Sequence, residues 1–234
     1  MIPIADDTPS RIVPIVTWLL LATCVVVFFW QVSLPAPDQM AVVHALGVIP
    51  AVLFGEAYLP PEIQLVPAWL TVFTSMFLHG GWLHLISNML YLWVFADNVE
   101  DAMGHGRFLL FYLLCGVAAA LAQSLPAMDS AIPMIGASGA ISGVLGAYLL
   151  LYPWARITVI VPLGIILYPM QVPAFVMLLA WFGLQLVSGL MIDPGEPGVA
   201  FQAHAGGFVA GMFLVGPFRR QGIRMFNRAR VRSR

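Results

Sequence analysis

From Ile12 to Val32 the chain runs for about 20 residues without one charged side chain. A helix rises about 1.5 Å per residue, so such a run crosses the roughly 30 Å hydrocarbon core of a bilayer. Similar runs recur over Trp82 to Val99, Arg107 to Leu125, Ser138 to Pro153, Pro173 to Met191 and Phe201 to Phe218. Only 9% of the 234 residues are charged, and 61% are hydrophobic. A soluble domain carries about 25% charge and could not hide so much apolar surface. The reading is an all-α integral membrane protein with six spans in a single domain, residues 1–234. Residues 1–11 form its cytoplasmic N-terminus, 12–218 its membrane core and 219–234 a basic cytoplasmic tail. The start lacks a basic cluster and a clear Ala-x-Ala-like site, so the first run reads as a retained span rather than a cleaved signal.

Between spans one and two lies a long first loop, Ser33 to Gly81, broken by Pro35, Pro37, Pro50, Pro60, Pro61 and Pro67. It is expected to form short interfacial helices, because irregular backbone at membrane depth must be buried against protein. Arg156 to Gln171 is apolar but carries Pro162 and Pro169. It reads either as an extended interfacial stretch or as an early start of span five. Cys24 and Cys115 sit inside apolar runs and read as small core residues.

The chain has no lysine, and seven of its ten arginines lie after Gly216. With six spans, Arg11, Arg107, Arg156 and all seven tail arginines share one side. The opposite loops hold Asp38, Glu56, Glu62, Asp129, Asp193 and Glu196 and no arginine. By the positive-inside rule both termini are cytoplasmic. Spans two, four and six then run inward from the outer face. His84, Ser138 and His204 lie within the first few residues of these three spans, so they share one depth.

That coincidence points to chemistry. Gly136-Ala137-Ser138-Gly139 opens directly into an apolar helix, and a polar group there is costly without a task. A serine needs a base, and histidine is the usual one. Gly139/Gly143 and Gly207/Gly211 are small-xxx-small pairs that let spans four and six approach closely enough for Ser138 to meet His204. Acyl transfer also needs donors for an oxyanion. The Ser138 amide lies at a helix N-terminus. His84 and Asn88, at i and i+4, share one face of span two. His79 and His84 are five apart with no carboxylate nearby, so a zinc site is not expected. His44 and His105 read as loop residues.

His79-Gly-Gly-Trp-Leu-His84-Leu-Ile-Ser-Asn88, Gly136-Ala-Ser138-Gly139 and Ala203-His204-Ala-Gly-Gly207, in that order, resemble the rhomboid family of intramembrane serine proteases. The likeness runs from span one to span six. It implies a six-helix bundle with a water-filled cavity, a Ser138 nucleophile and a His204 general base and acid. It also implies an oxyanion hole of His84, Asn88 and the Ser138 amide, no cofactor and no metal, and membrane-spanning protein substrates. Glu100 resembles the family's structural glutamate. Two departures stand out. Trp69 is followed by Leu70 where many members have Trp-Arg, so the first loop is expected to be held differently. Ser142 stands where many have a tyrosine that supports the histidine.

The expected function is therefore an endopeptidase cutting within or beside transmembrane segments. The alternative is a catalytically silent member that binds membrane clients. A transporter would need inverted repeats and midplane polar sites, which are not seen. No nucleic-acid partner is indicated. Activity should rise as the histidine becomes neutral, around pH 6–7 for an ordinary imidazole. Gly80-Gly81 and the Asp193–Gly198 loop are candidate gates. The arginine tail either binds anionic headgroups or serves as a solvated topogenic segment. The compact plan suggests a prokaryotic plasma membrane.

Overall fold

The computed structural model describes residues 2–163, 166–191 and 198–227. The last four arginines of the tail and most of the Asp193–Gly198 loop lie outside the described residues. Strand β1 (Ile2–Asp6) precedes helices α1 (Ile15–Ser33), α2 (Ala36–Leu46), α3 (Pro50–Leu53) and α4 (Thr71–Thr74). Helices α5 (Trp82–Met103), α6 (His105–Ser124) and α7 (Ser138–Leu151) follow. Strands β2 (Arg156–Leu163) and β3 (Ile166–Pro173) then lead into α8 (Ala174–Met191) and α9 (Phe201–Phe218).

Helix α7 is the centre of the bundle. Nearly every residue from Gly139 to Leu151 is buried. A helix that is apolar all round belongs either in a protein core or in a membrane, and α7 is enclosed by its neighbours. It packs most extensively against α9, and α6 closes the other side of that pair. On α8 the arrangement is reversed: only Ala174, Met177, Leu178 and Gln185 are buried. Leu179, Leu184, Leu186, Val187 and Leu190 of α8 are exposed, as are Trp18, Leu19, Val26 and Phe29 of α1. Apolar surface on this scale is what lipid covers.

Helices α1, α6 and α8 are each long and apolar enough to cross a bilayer on those grounds alone. The other three expected spans each fall short for a stated reason. Helix α5 carries Asp97, Glu100 and Asp101 within its length. Helix α7 has 14 residues, about 21 Å. Helix α9 carries Gln202 and His204.

The expectation of an all-α chain is corrected by a small antiparallel sheet of order β1-β2-β3. The segment left undecided above is its hairpin: the chain is extended there, as the first alternative had it, and α8 does not begin until Ala174. Pro162 and Pro169 forbid helix there, and the run Ile157, Thr158, Val159, Ile160, Val161 is β-branched throughout. Ile157 and Val159 are fully buried, as alternation on a strand requires. The N-terminal residues supply the third strand, with Ile2 opposite Ile160 and Asp6 opposite Ile157. Asp6 also ties this sheet to α7, because the Tyr148 hydroxyl donates to its carboxylate at 2.5 Å.

Burial pushes the Asp6 carboxyl up from 3.8 to about 6, the Tyr148 bond offsetting only part of that effect. The raised value means that the fold favours the neutral acid. Stability from this group is fully present below the unfolded value and is lost as pH rises through about 6. Asp6→Asn should therefore flatten the pH dependence of the melting temperature between pH 4 and 7. Tryptophan-fluorescence melts in detergent measure this, and parallel curves for parent and variant would refute it.

Span two, expected to end at Val99, continues as α5 to Met103 and takes Asp97, Glu100 and Asp101 into the helix. Glu100 is fully buried and acts as the N-terminal cap of α1, which has no side-chain cap of its own. Its carboxylate accepts from the N–H groups of Val16 (3.0 Å) and Thr17 (2.8 Å) and from the Thr17 hydroxyl (2.6 Å). His105 donates to it at 2.5 Å from the first residue of α6, so this histidine is not a loop residue. His44 likewise lies in a helix, α2. Glu100→Ala would strip four donors of their acceptor at once. A loss of about 3 kcal/mol or more is expected, since each bond to a charged group is worth roughly 1.5–3 kcal/mol. Thermal unfolding measures it, and an unchanged midpoint would mean that water replaces the carboxylate.

The first loop does form short helices, α2 to α4. Trp69 is 63% exposed. Paired backbone bonds hold the loop: Val48 N–H to Met134 O (3.0 Å) and Met134 N–H to Val48 O (2.7 Å). The loop thereby grips the segment that leads into Ser138. Cys24 and Cys115 are free thiols, both fully buried.

Candidate active site

Ser138 is the first residue of α7, where the N–H groups have no carbonyl within the helix to bind. The approach to it is fixed by Gly136, whose φ of +124° suits glycine. The Gly136 N–H donates to Ser75 O at 2.9 Å, tying this turn to the first loop. A Cβ at position 136 would come within 2.7 Å of Cε1 and Nε2 of His84 and 3.8 Å of Ser138 Oγ. His84 therefore lies against the serine turn.

His204 reaches the same place from the first turn of α9. Its Nε2 is 2.8 Å from Ser138 Oγ. This contact depends on how closely α7 and α9 approach. Gly207 faces the Gly139 carbonyl, and Gly211 faces the Gly143 carbonyl one turn further on. The two small-xxx-small pairs read from sequence are thus the surfaces that meet.

The support of His204 was not legible in the family pattern. Ser142, at the position where a tyrosine was missed, donates its hydroxyl to Ser138 O at 2.6 Å and does not touch the imidazole ring through that bond. Helix α8 supplies the support instead. The Trp181 ring lies 5.9 Å from the imidazole, tilted by 34°. One turn on, Gln185 Oε1 lies 2.7 Å from His204 Nδ1. Phe201 of α9 stands edge-on to the imidazole, 6.4 Å between ring centres. Gln123 of α6 accepts from the Ala203 N–H at 3.2 Å, which steadies the turn before His204. The available signal was Gln185 itself, a lone amide in an otherwise apolar helix.

The two side chains expected to act as oxyanion donors lie on α5. Gly80 N–H donates to Nδ1 of His84 at 3.3 Å, so the proton of a neutral ring sits on Nε2, the nitrogen nearest the serine turn. Asn88 is 94% buried, and its Nδ2 has no hydrogen-bond partner among the described residues. A buried amide donor left free is costly unless something arrives to accept from it. His84, Asn88, Ser138 and His204 all line one cavity of about 820 Å³, with Trp181 on its wall. Gly80 and Gly81 line it as well. His79 packs edge-on against His84, 5.2 Å between ring centres. Among the described residues no three side chains converge in a metal-binding arrangement.

A helical membrane protein with a serine–histidine pair in the wall of a cavity is the class these observations define. The Rhomboid domain family model matches residues 67–221 of the 234, and the chain belongs to the rhomboid family. It is 32% identical to RHOMBOID-like protein 5 of Arabidopsis thaliana over 143 residues, 60% of this chain and 41% of that one. It is 44% identical to Rhomboid protease GluP of Bacillus subtilis over 81 residues, 35% of this chain and 15% of that one. It is 29% identical to Rhomboid protein 1, mitochondrial, of Saccharomyces cerevisiae over 163 residues, 68% of this chain and 44% of that one. The chain spans less than half the length of each. A plant, a bacterium and a yeast mitochondrion are all represented, so kinship lends no support to the expectation of a prokaryotic plasma membrane.

Proposed function

We propose that the chain is an intramembrane serine endopeptidase that cleaves transmembrane segments of other membrane proteins through a Ser138–His204 dyad. The observation that carries this reading is the 2.8 Å contact between Ser138 Oγ and His204 Nε2 in the wall of a cavity. In this reading the described helices 15–33, 82–103, 105–124, 138–151, 174–191 and 201–218 are six spans of a single domain, and both termini are cytoplasmic.

The chemistry follows from the geometry. His204 Nε2 takes the Ser138 proton as Oγ attacks the scissile carbonyl carbon. The carbonyl oxygen becomes an oxyanion that accepts from the Ser138 N–H, His84 Nε2–H and Asn88 Nδ2–H. Each such donor is worth about 3–4 kcal/mol in the transition state. Collapse of the tetrahedral intermediate breaks the C–N bond, and His204 passes its proton to the departing amine. A water in the cavity then loses a proton to His204 and attacks the serine ester, and Ser138 is regenerated.

The test is cleavage of a single-span reporter protein by the full chain in liposomes. Two defined fragments cut within or beside the span are expected. Intact reporter over hours, with the protein folded, would contradict the reading and favour client binding without cleavage.

A further inference from the structure

We propose that Gln185 is a positioning residue for the reaction, selecting the tautomer of His204 that can act as base. The proposal rests on the dyad reading above. The argument begins with a constraint on protons. An amide oxygen only accepts hydrogen bonds. Gln185 Oε1 is 2.7 Å from His204 Nδ1, so Nδ1 carries the proton. The lone pair of the neutral ring is then on Nε2, 2.8 Å from Ser138 Oγ. In the other tautomer Nε2 would be a donor and could not take the serine proton. Which ring nitrogen is protonated is set by the partner of the other, and Gln185 is that partner here.

Burial and placement agree with this role. Gln185 is 7% exposed on a helix whose other buried residues are Ala174, Met177 and Leu178. An amide placed there costs free energy unless its polar atoms are used. Trp181 and Gln185 are i and i+4, on one face of α8, so one turn of helix presents a ring to the imidazole face and an oxygen to its edge. The other groups around His204 are Ser138 on α7, the titratable His84 on α5, neutral Gln123 on α6 and Phe201 on α9 itself. Among the described residues Gln185 alone is hydrogen-bonded to Nδ1. When the serine proton arrives on Nε2, the Gln185 carbonyl dipole already points at Nδ1–H and stabilises the imidazolium. Gln185 thus takes the place that a carboxylate holds in a three-membered site, with a dipole instead of a charge.

The test compares parent, Gln185→Met, Gln185→Glu and Ser138→Ala, each as the full chain in liposomes, cleaving a single-span reporter from pH 5 to 9. Gln185→Met is expected to lower kcat about 10- to 100-fold with KM unchanged. This is less than the roughly 10⁴-fold loss when a charged orienting partner is replaced by a neutral one. Gln185→Glu should retain most of the plateau rate. Its acid limb should move about one pH unit upward, because a carboxylate favours the protonated ring. A merely structural residue would change the melting temperature and leave the shape of the pH profile alone. An active parent and inactive Ser138→Ala, with parental kcat and profile in both Gln185 variants, would overturn the proposal and spare the dyad. If Gln185→Met does not fold, the profile of Gln185→Glu decides: a shifted limb supports the role, an unshifted one refutes it. A parent no more active than Ser138→Ala overturns the dyad reading and this proposal together.

Discussion

Ser138→Ala is expected to lower cleavage by about 10⁴-fold or more while leaving the melting temperature within a few degrees of the parent. The substitution removes one oxygen from a half-buried side chain at a cavity wall, so it opens no void in the core. What it removes is the proposed nucleophile. His204→Ala should cost a similar factor, because a serine without a base does not lose its proton at neutral pH. The double variant should be no worse than either single one, since the two side chains act as one unit. Additive losses would mean that each contributes separately, as binding groups do. Detergent melts beside the rate assay separate lost chemistry from lost folding.

The second large effect falls on the helix pair that brings the dyad together. Gly211→Val should cost about 3 kcal/mol or more, at or beyond the upper end of what overpacking costs elsewhere. A Cβ at 211 would collide with the Gly143 carbonyl on the facing helix, and backbone cannot swing aside as a side chain can. The only relief is for α7 and α9 to separate. Separation lengthens the 2.8 Å Ser138–His204 contact, so activity should fall together with stability. Gly216→Val on the same helix is the control, because a Cβ there meets nothing within 4 Å. The buried thiols of Cys24 and Cys115 offer a direct readout, since a thiol-reactive dye reaches them only on unfolding. Equal midpoints for the two valine variants would contradict the close-packing account.

These effects trace back to features that differed in how plainly they could be read. The helix that ends the described bundle was read to the residue, Phe201–Phe218, because a turn cluster precedes it and a basic segment follows. Ser138 and His204 were legible because each is a polar group at the mouth of an apolar run, next to glycines that permit contact. Helix α5 was cut short in the reading, since Asp97, Glu100 and Asp101 look like an exit to water. Glu100 is instead fully buried by the donors it serves, and Asp101 is held by Arg220 at 2.8 Å. Local sequence carries no record of partners from 84 or 119 positions away.

The sheet was hidden for a different reason. An apolar hairpin with one charged residue looks like part of a span until a partner strand is known, and β1 is only five residues long with a proline inside. Gln185 was visible as an odd amide in α8, but its role depends on a contact with α9 that periodicity does not encode. The support for His204 thus moved from the position of Ser142 on α7 to Trp181 and Gln185 on α8.

The most direct test of the dyad is covalent capture. The full chain in liposomes is treated with a fluorophosphonate and digested, and the adduct is located by mass spectrometry. A fluorophosphonate reacts only with a serine whose hydroxyl is activated by a base. The account predicts one adduct, on Ser138, and loss of that adduct in His204→Ala with the protein still folded. No adduct on Ser138 in the parent, or equal labelling with and without His204, would contradict it.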